Sequence, residues 1–186
     1  MKGKKMNDNN ADVISTSHVD DMEKITESLP VLPIPDQVAF PKITVALAVT
    51  LDSEPIIDDV MKGNRLVGLV AARESDAEVP NPDHLYQTGT VARVVFAKKD
   101  TDGTLVIIAT GLQRFRVESW LSEKPYLRAR VRLAPETVDK DVELEALHRN
   151  LQDIAQTVLS LLPDAPKVAS EALVKIKDSL HLAYLA

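Results

Sequence analysis

The chain has 186 residues, of which 45% are hydrophobic and 27% charged, and its formal net charge is −6 at pH 7. This length suits one medium domain or two small ones, and the acidic balance disfavours indiscriminate binding of nucleic acid. Cysteine is absent, which excludes disulfides and thiolate metal sites. No apolar run reaches the roughly 18 residues of a membrane span, and no apolar stretch follows the basic start as it would in a secretory signal. We therefore expect a cytoplasmic protein.

Residues 1–27 are polar with scattered apolar side chains, and they predict a disordered N-terminal tail. A strand at Leu29–Ile34 follows. Its prolines suit a sheet edge or the seam of a barrel, because proline donates no ladder hydrogen bond. A second strand is expected at 43–49, a short helix at 54–62 and a buried strand at 65–72. The polar residues 74–83 include two prolines and predict an exposed loop.

Four β-rich runs then predict an antiparallel meander, at residues 90–97, 104–110, 114–121 and 126–133. The first two runs flank a polar turn whose Asp102-Gly103 pair suits a hairpin reversal. The last run alternates apolar and arginine side chains, as a strand with one buried face does. About six strands with one short helix predict an α+β fold, a small closed or half-closed barrel, because closure removes bare sheet edges.

The period of the apolar residues changes after Pro135, which divides a β-domain at 28–135 from a helical subdomain at 136–186. Steps of three and four residues predict a first helix with the stripe Leu144, Leu147, Leu151, Ile154, Val158 and Leu161. A second helix is predicted from near Pro166, with the stripe Val168, Ala172, Leu173, Ile176, Leu180 and Ala183. No helix-ending signal precedes Ala186, so we expect the subdomain to be truncated here and to continue in a longer chain.

Several short motifs in the β-domain resemble those of a known family. They are Gly89-Thr90-Val91-Ala92, Asp102-Gly103-Thr104, the segment from Gly111 to Phe115, and the proline-rich opening from Leu29 to Asp36 with Phe40-Pro41 behind it. In this order they are similar to the N-terminal (LON) domain of the ATP-dependent protease Lon. Each motif is weak alone, but four in the same order make the resemblance fairly specific over roughly residues 29–135.

The resemblance implies a PUA-like β pseudo-barrel. It also implies a parent enzyme that is a homohexameric, ATP-dependent serine endopeptidase acting on misfolded and regulatory proteins. ATP, Mg²⁺ and the Ser–Lys dyad would belong to modules outside this chain. This segment would be a non-catalytic substrate-recognition and assembly domain, and its partners would be unfolded or degron-bearing polypeptides.

The residues themselves predict no catalytic, cofactor-binding or metal-binding group. No Walker-A pattern occurs among the six glycines, and no G-x-S-x-G elbow is present. The four histidines, His18, His84, His148 and His181, share no metal-ligand spacing. We therefore expect neither ATP hydrolysis nor peptide hydrolysis by this chain.

Apolar side chains on loops are the features that a polypeptide-binding module needs, and the candidates are Val38, Phe40 and Trp120. The alternative is that they are buried plugs of the barrel. The sequence alone does not decide whether the three side chains form one patch.

A basic face is predicted from five arginines: Arg114, Arg116, Arg128, Arg130 and Arg132. Three interpretations remain open. The arginines can pair with the acidic residues Glu136, Asp139, Asp141 and Glu143 and dock the helical part, they can bind protein, or they can bind RNA, as some PUA-like barrels do. A free-standing LON-domain binding protein is the alternative to a piece of a protease, and the length of the parent gene would distinguish these two.

Overall fold

A computed structural model describes residues 26–35, 37–73, 81–100, 104–138, 142–161, 173 and 175–185. Nearly all of the predicted tail, most of the predicted loop at 74–83 and the predicted turn at 101–103 lie outside the described residues. Six strands are described: β1 (Leu29–Ile34), β2 (Thr44–Val49), β3 (Leu66–Ala71), β4 (Thr88–Lys99), β5 (Leu105–Ser122) and β6 (Arg128–Leu133). The α-helices given bounds among the described residues are α1 (Glu54–Lys62), α2 (Val142–Leu161) and α3 (Ser179–Leu185).

The strands form one mixed sheet in the order β2-β5-β4-β3-β1-β6. β6 also pairs with β5, so five of the strands close into a ring and β2 is added on the outside of β5. β1 runs parallel to β3, and every other pairing is antiparallel. β1 meets β6 over only two residue pairs, so the proline-containing strand lies at the seam. The α+β pseudo-barrel that the sequence predicts is confirmed.

The predicted meander is wrong in one respect, because the runs at 104–110 and 114–121 are a single strand, β5. Gly111 lies between these two runs in the sequence. In the structure it lies within β5 at a point of close approach, where an added Cβ would be 2.1 Å from the carbonyl oxygen of Phe40. The strand continues through this point because the Gly111 N–H donates to the Ile43 carbonyl at 2.8 Å and β4 pairs with the opposite edge.

The interior contains two apolar clusters. One lies under α1 and the first half of β5, and the other surrounds the ring of Phe115. Gly68 and Gly89 make room for that ring, since a Cβ at either position would come within 2.9 Å of it. Thr90 is the buried polar residue of the described core, and its hydroxyl donates to the Ala39 carbonyl at 2.7 Å. The Gly89 and Phe115 motifs are thus packed against each other.

The helical part differs from its prediction in two ways. α2 has no buried residue, and four of the six side chains of its predicted stripe are more than half exposed: Leu147, Ile154, Val158 and Leu161. The second predicted helix is interrupted, because residues 176–178 are not helical and Asp178 Oδ1 accepts from the N–H groups of Leu180 and His181. Aspartate favours such a cap over a helix interior, so α3 begins at Ser179. Residues 166–172 and 174 lie outside the described residues.

No helix among the described residues has both the length and the apolar character needed to cross a membrane.

The close approach at Gly111 predicts a large effect of a single methyl group. Gly111→Ala is expected to lower the free energy of unfolding by about 3 kcal/mol, because the Phe40 backbone must move to avoid the Cβ. Ala48→Val, which enlarges an exposed strand residue, is expected to change it by less than about 0.5 kcal/mol. Urea unfolding of the two variants checks this. Equal midpoints for Gly111→Ala and the unmodified chain would contradict the packing.

Candidate functional site

The loop between β1 and β2 carries Phe40, and the chain turns sharply just after it. Lys42 has φ of 66°, and the Ile43 N–H donates to the Phe40 carbonyl at 3.3 Å. This turn presents the Phe40 ring to α3, where it stacks on Tyr184 with ring centroids 4.9 Å apart. Leu182 of the same helix is fully buried. Helix α3 therefore docks beside this loop through aromatic and apolar contact.

Charged side chains surround this aromatic contact. Arg114 Nε lies 2.7 Å from Glu136 Oε1, and the Arg114 guanidinium lies 5.4 Å from the centroid of the Tyr184 ring. Lys42 pairs with Asp178, and its hydrogen bond is the main cause that lowers the pKa of the Asp178 carboxyl. Ion pairs this exposed contribute at most about 1 kcal/mol each. The pair of Lys42 with Asp178 orients α3 on the β-domain more than it stabilises the contact.

The hydroxyl of Tyr184 lies within the same group of charges. Burial has the largest effect on this group, and the Glu136 carboxylate adds to it, while Arg114 opposes; together they raise the pKa of Tyr184 to about 12. The ionised form of Tyr184 is therefore disfavoured in the folded chain relative to the unfolded one.

A cleft of about 700 Å³ opens beside this contact, against α2 and the start of α3. Its lining combines apolar side chains with both signs of charge and includes Lys42, Glu136, Leu144, His148, Arg149 and Asp178. His148 is half-buried, and its Nδ1 has no hydrogen-bond partner among the described residues. The part of the chain that the structure describes has no group of three or more His, Asp or Glu placed to hold a metal. The cleft therefore offers both apolar contact and charges of both signs.

The three predicted polypeptide-contact residues do not lie together. Val38 and Phe40 share the β1–β2 loop, where Val38 is 59% exposed and Phe40 is half-buried against Tyr184. Trp120 lies near the far end of β5, opposite Ala129, and packs on the cluster around Phe115. The loop pair and the tryptophan are therefore separate surface features.

The predicted basic face is partly neutralised by carboxylates. Besides the pair of Arg114 with Glu136, Arg128 lies 3.6 Å from Asp59 and Arg132 lies 3.6 Å from Glu118. Arg116 and Arg132 are directly opposite across β5 and β6, and Arg130 is exposed on β6. β5 and β6 pair with each other, and Glu136 contacts one of the five arginines. Asp139 and Asp141 lie outside the described residues.

The sheet also has an apolar surface that was not predicted from the sequence. We call it the outer face, meaning the side of β2, β5 and β4 that points away from the core, and its members are Ala46, Ala48, Phe96, Val106 and Ile108. Phe96 is 47% exposed, both alanines are exposed, and the two β5 side chains are half-buried. The sequence pattern does indicate this surface, because both β2 and the start of β5 are apolar at nearly every position. A strand with one solvent-exposed face seldom has such a pattern.

The environment of Tyr184 predicts a pH dependence of stability. Because the pKa is raised from 10 to about 12 on folding, the contribution of Tyr184 is fully present below pH 10 and is lost as the pH rises towards 12. Tyr184→Phe is expected to lose less stability than the unmodified chain between pH 10 and about 12. It is also expected to lack the phenolate absorbance change that the unmodified chain shows at the upper end of this range. Urea midpoints and near-ultraviolet absorbance measured across the interval check this. Parallel stability curves for the two proteins would contradict it.

Comparisons with known proteins agree with this architecture. A family model described as the ATP-dependent protease La (LON) substrate-binding domain matches residues 28–186. The chain is 35% identical over 162 residues to a Lon protease of Dictyoglomus thermophilum, covering 87% of this chain and 20% of that protein. It is 37% identical over 165 residues to Lon protease 2 of Myxococcus xanthus, covering 88% of this chain and 20% of that protein.

The fold is also similar to solved structures. The N-terminal domain of Mycobacterium avium complex Lon protease matches 84% of this chain and 80% of its own, with a TM-score of 0.68 and 20% identity. The Lon N-terminal domain protein from Xanthomonas campestris matches 85% of this chain and 95% of its own, with a TM-score of 0.55 and 20% identity. At this identity the likeness concerns the fold alone. The chain spans about a fifth of the length of the curated relatives that it matches. From the family match over nearly the whole described region, the chain belongs to the LON substrate-binding domain family.

Proposed function

We propose that this chain is the non-catalytic substrate-recognition and assembly domain of an ATP-dependent, Lon-type serine protease that degrades misfolded and regulatory proteins. The observation that carries the proposal is the match of a LON substrate-binding domain model to residues 28–186. The relatives are named Lon protease, and the chain corresponds to about a fifth of their length. ATP and Mg²⁺ binding, the Ser–Lys dyad and homohexamer formation would belong to the whole protein.

The exposed apolar side chains support capture of unfolded polypeptide. Burial of about 300 Å² of apolar surface contributes roughly 7 kcal/mol of transfer free energy, before the cost of association is subtracted. Loss of translational and rotational freedom on association costs about 4–15 kcal/mol. A single domain would therefore bind an unfolded chain weakly, and several copies in one assembly would raise the overall affinity. Val38, exposed on the loop beside the docked helix, is the residue of the predicted set best placed for such contact.

The ion pairs on the basic face argue against the RNA-binding alternative. Three of its five arginines already lie within 3.6 Å of a carboxylate, and a phosphate would have to compete with these partners. We expect weak binding of RNA at physiological salt. Submicromolar affinity with a steep salt dependence, lost in the double variant Arg128→Ala with Arg130→Ala, would favour the alternative instead.

The proposal predicts selective binding of unfolded protein. The 186-residue chain is expected to bind reduced, carboxymethylated α-lactalbumin weakly and native α-lactalbumin hardly at all, with little change on adding salt, because screening acts on charges. Val38→Asp is expected to weaken binding about three- to tenfold. Val142→Asp is the matched control, since it places the same charge on an 84% exposed valine of α2. Fluorescence anisotropy of labelled α-lactalbumin measures both.

The same preparation is expected to hydrolyse neither ATP nor peptide. ATP turnover that purifies together with the chain would contradict the non-catalytic role. Equal binding of native and unfolded α-lactalbumin would contradict the recognition role.

A further inference from the structure

β2 is a strand with one unpaired edge. It pairs with β5 along its whole length, and no strand or isolated bridge among the described residues pairs with its other side. Every other strand of the sheet has a neighbouring strand on both sides along at least part of its length. The free edge of β2 is therefore a row of backbone donors and acceptors that barrel closure leaves open in the described part of the chain.

The register identifies the backbone groups on that edge. The Gly111 N–H donates to the Ile43 carbonyl, so the carbonyl of Ile43 points towards β5. Bonded pairs alternate along an antiparallel ladder, which directs the groups of Val45, Leu47 and Val49 to β5. Those of Thr44, Ala46 and Ala48 therefore point away from it. The free edge offers the N–H and the carbonyl of each of these three residues.

The edge lacks the features with which proteins usually prevent edge pairing. Such features are charged side chains, prolines and bulges within the edge strand. The segment Thr44–Val49 reads TVALAV and contains neither a charge nor a proline. The residues whose backbone groups form the free edge are small, so their side chains leave room for an incoming strand. In contrast, β1 at the seam has two prolines in six residues.

The surface next to the edge suits an apolar partner. Ala46 is opposite Ile108, which is in turn opposite Phe96, so a strand added to β2 would extend the outer face by one more row. Alternate side chains of the added strand would lie beside Ala46 and Ala48. Backbone hydrogen bonds would give affinity that does not depend on the partner's amino-acid sequence, and the outer face would favour apolar residues in the partner.

We propose that the free edge of β2 binds an extended segment of unfolded substrate polypeptide as an additional strand of the sheet. This rests on the proposed function, since the substrate-recognition domain of a protease must hold polypeptide chains of varied sequence. A second copy of the chain is the poorer occupant. Six paired residues span about 20 Å of strand, and a contact this narrow falls well short of the roughly 1,200 Å² of a stable interface.

Peptides with equal numbers of N-methyl groups test the proposal on the unmodified 186-residue chain. The probe is a fluorescein-labelled decapeptide of alternating valine and threonine with lysines at both ends. One version has three N-methyl groups on alternate residues, which leaves one edge of the peptide intact. The other has them on three consecutive residues, which interrupts both edges. Strand addition predicts that the first keeps its affinity and the second loses at least about tenfold. Equal binding of the two versions overturns the proposal.

Variants of β2 provide the second test. Ala46→Pro removes an outward N–H and leaves the bonds to β5 in place, and edge strands tolerate such a proline. It is expected to weaken binding of the unmethylated peptide and of carboxymethylated α-lactalbumin about tenfold, whereas Ala46→Thr, which keeps the N–H, is expected to change it less than about twofold. Ala48→Lys, which places a charge on the edge, is expected to act like Ala46→Pro if the proline variant fails to fold. Circular dichroism identifies the folded variants.

The outcomes separate this proposal from the proposed function. If carboxymethylated α-lactalbumin binds but none of the β2 variants weakens it, the strand-addition site is wrong and substrate recognition stands. If the unmodified chain binds neither α-lactalbumin nor peptide, both are wrong. If sedimentation equilibrium shows a dimer that Ala46→Pro dissociates, and the peptide does not bind, the edge is a self-association site and the proposal is wrong.

Discussion

One strand makes the rest of this structure possible. β5 has 18 residues and pairs with β4 on one side and with β2 and then β6 on the other. A strand of this length that pairs with three others has to bend around the core, and the bulges against β4 and β6 supply the bend. Glycines remove the side chains that would obstruct it, at Gly111 against the Phe40 backbone and at Gly68 and Gly89 against the Phe115 ring. The motifs that resemble the family are thus the points at which β5 meets its neighbours.

Closure of the ring by the second half of β5 determines which backbone groups stay unpaired beside its first half. Because β6 bonds to residues 115–122, the ring closes without β2, which among the described residues is an added strand with a free edge. The same geometry leaves the outer face of β2, β5 and β4 without a covering layer among the described residues. An apolar sheet face with an adjoining free edge is costly for a protein that has no use for it, since it invites aggregation. In a family described as a substrate-binding domain, such a surface is consistent with the polypeptide binding that we propose.

Local patterns predicted most elements, and contacts between distant residues account for the errors. Period-two alternation predicted β6, and proline and glycine signals bounded α1 correctly. Gly111 was misjudged because a glycine at a turn and a glycine at a close approach look the same in sequence, and only the Phe40 backbone distinguishes them. The second predicted helix is interrupted at Asp178 because this carboxylate caps α3 and pairs with Lys42, a residue far away in the sequence. Val38 and Phe40 were selectable as apolar loop residues, but nothing local in the sequence indicated that Tyr184 would cover Phe40.

Weak, sequence-tolerant binding is consistent with the role that we propose. A domain that passes polypeptide to other modules must release it as readily as it captures it. With an association rate of about 10⁶ M⁻¹s⁻¹, a dissociation constant of about 10 μM corresponds to release within about a tenth of a second. Backbone pairing along three residues of β2 supplies affinity of this modest order without selecting side chains, whereas a deep pocket would select them. Retention of a substrate would then depend on several domains acting together, and each single contact would remain reversible.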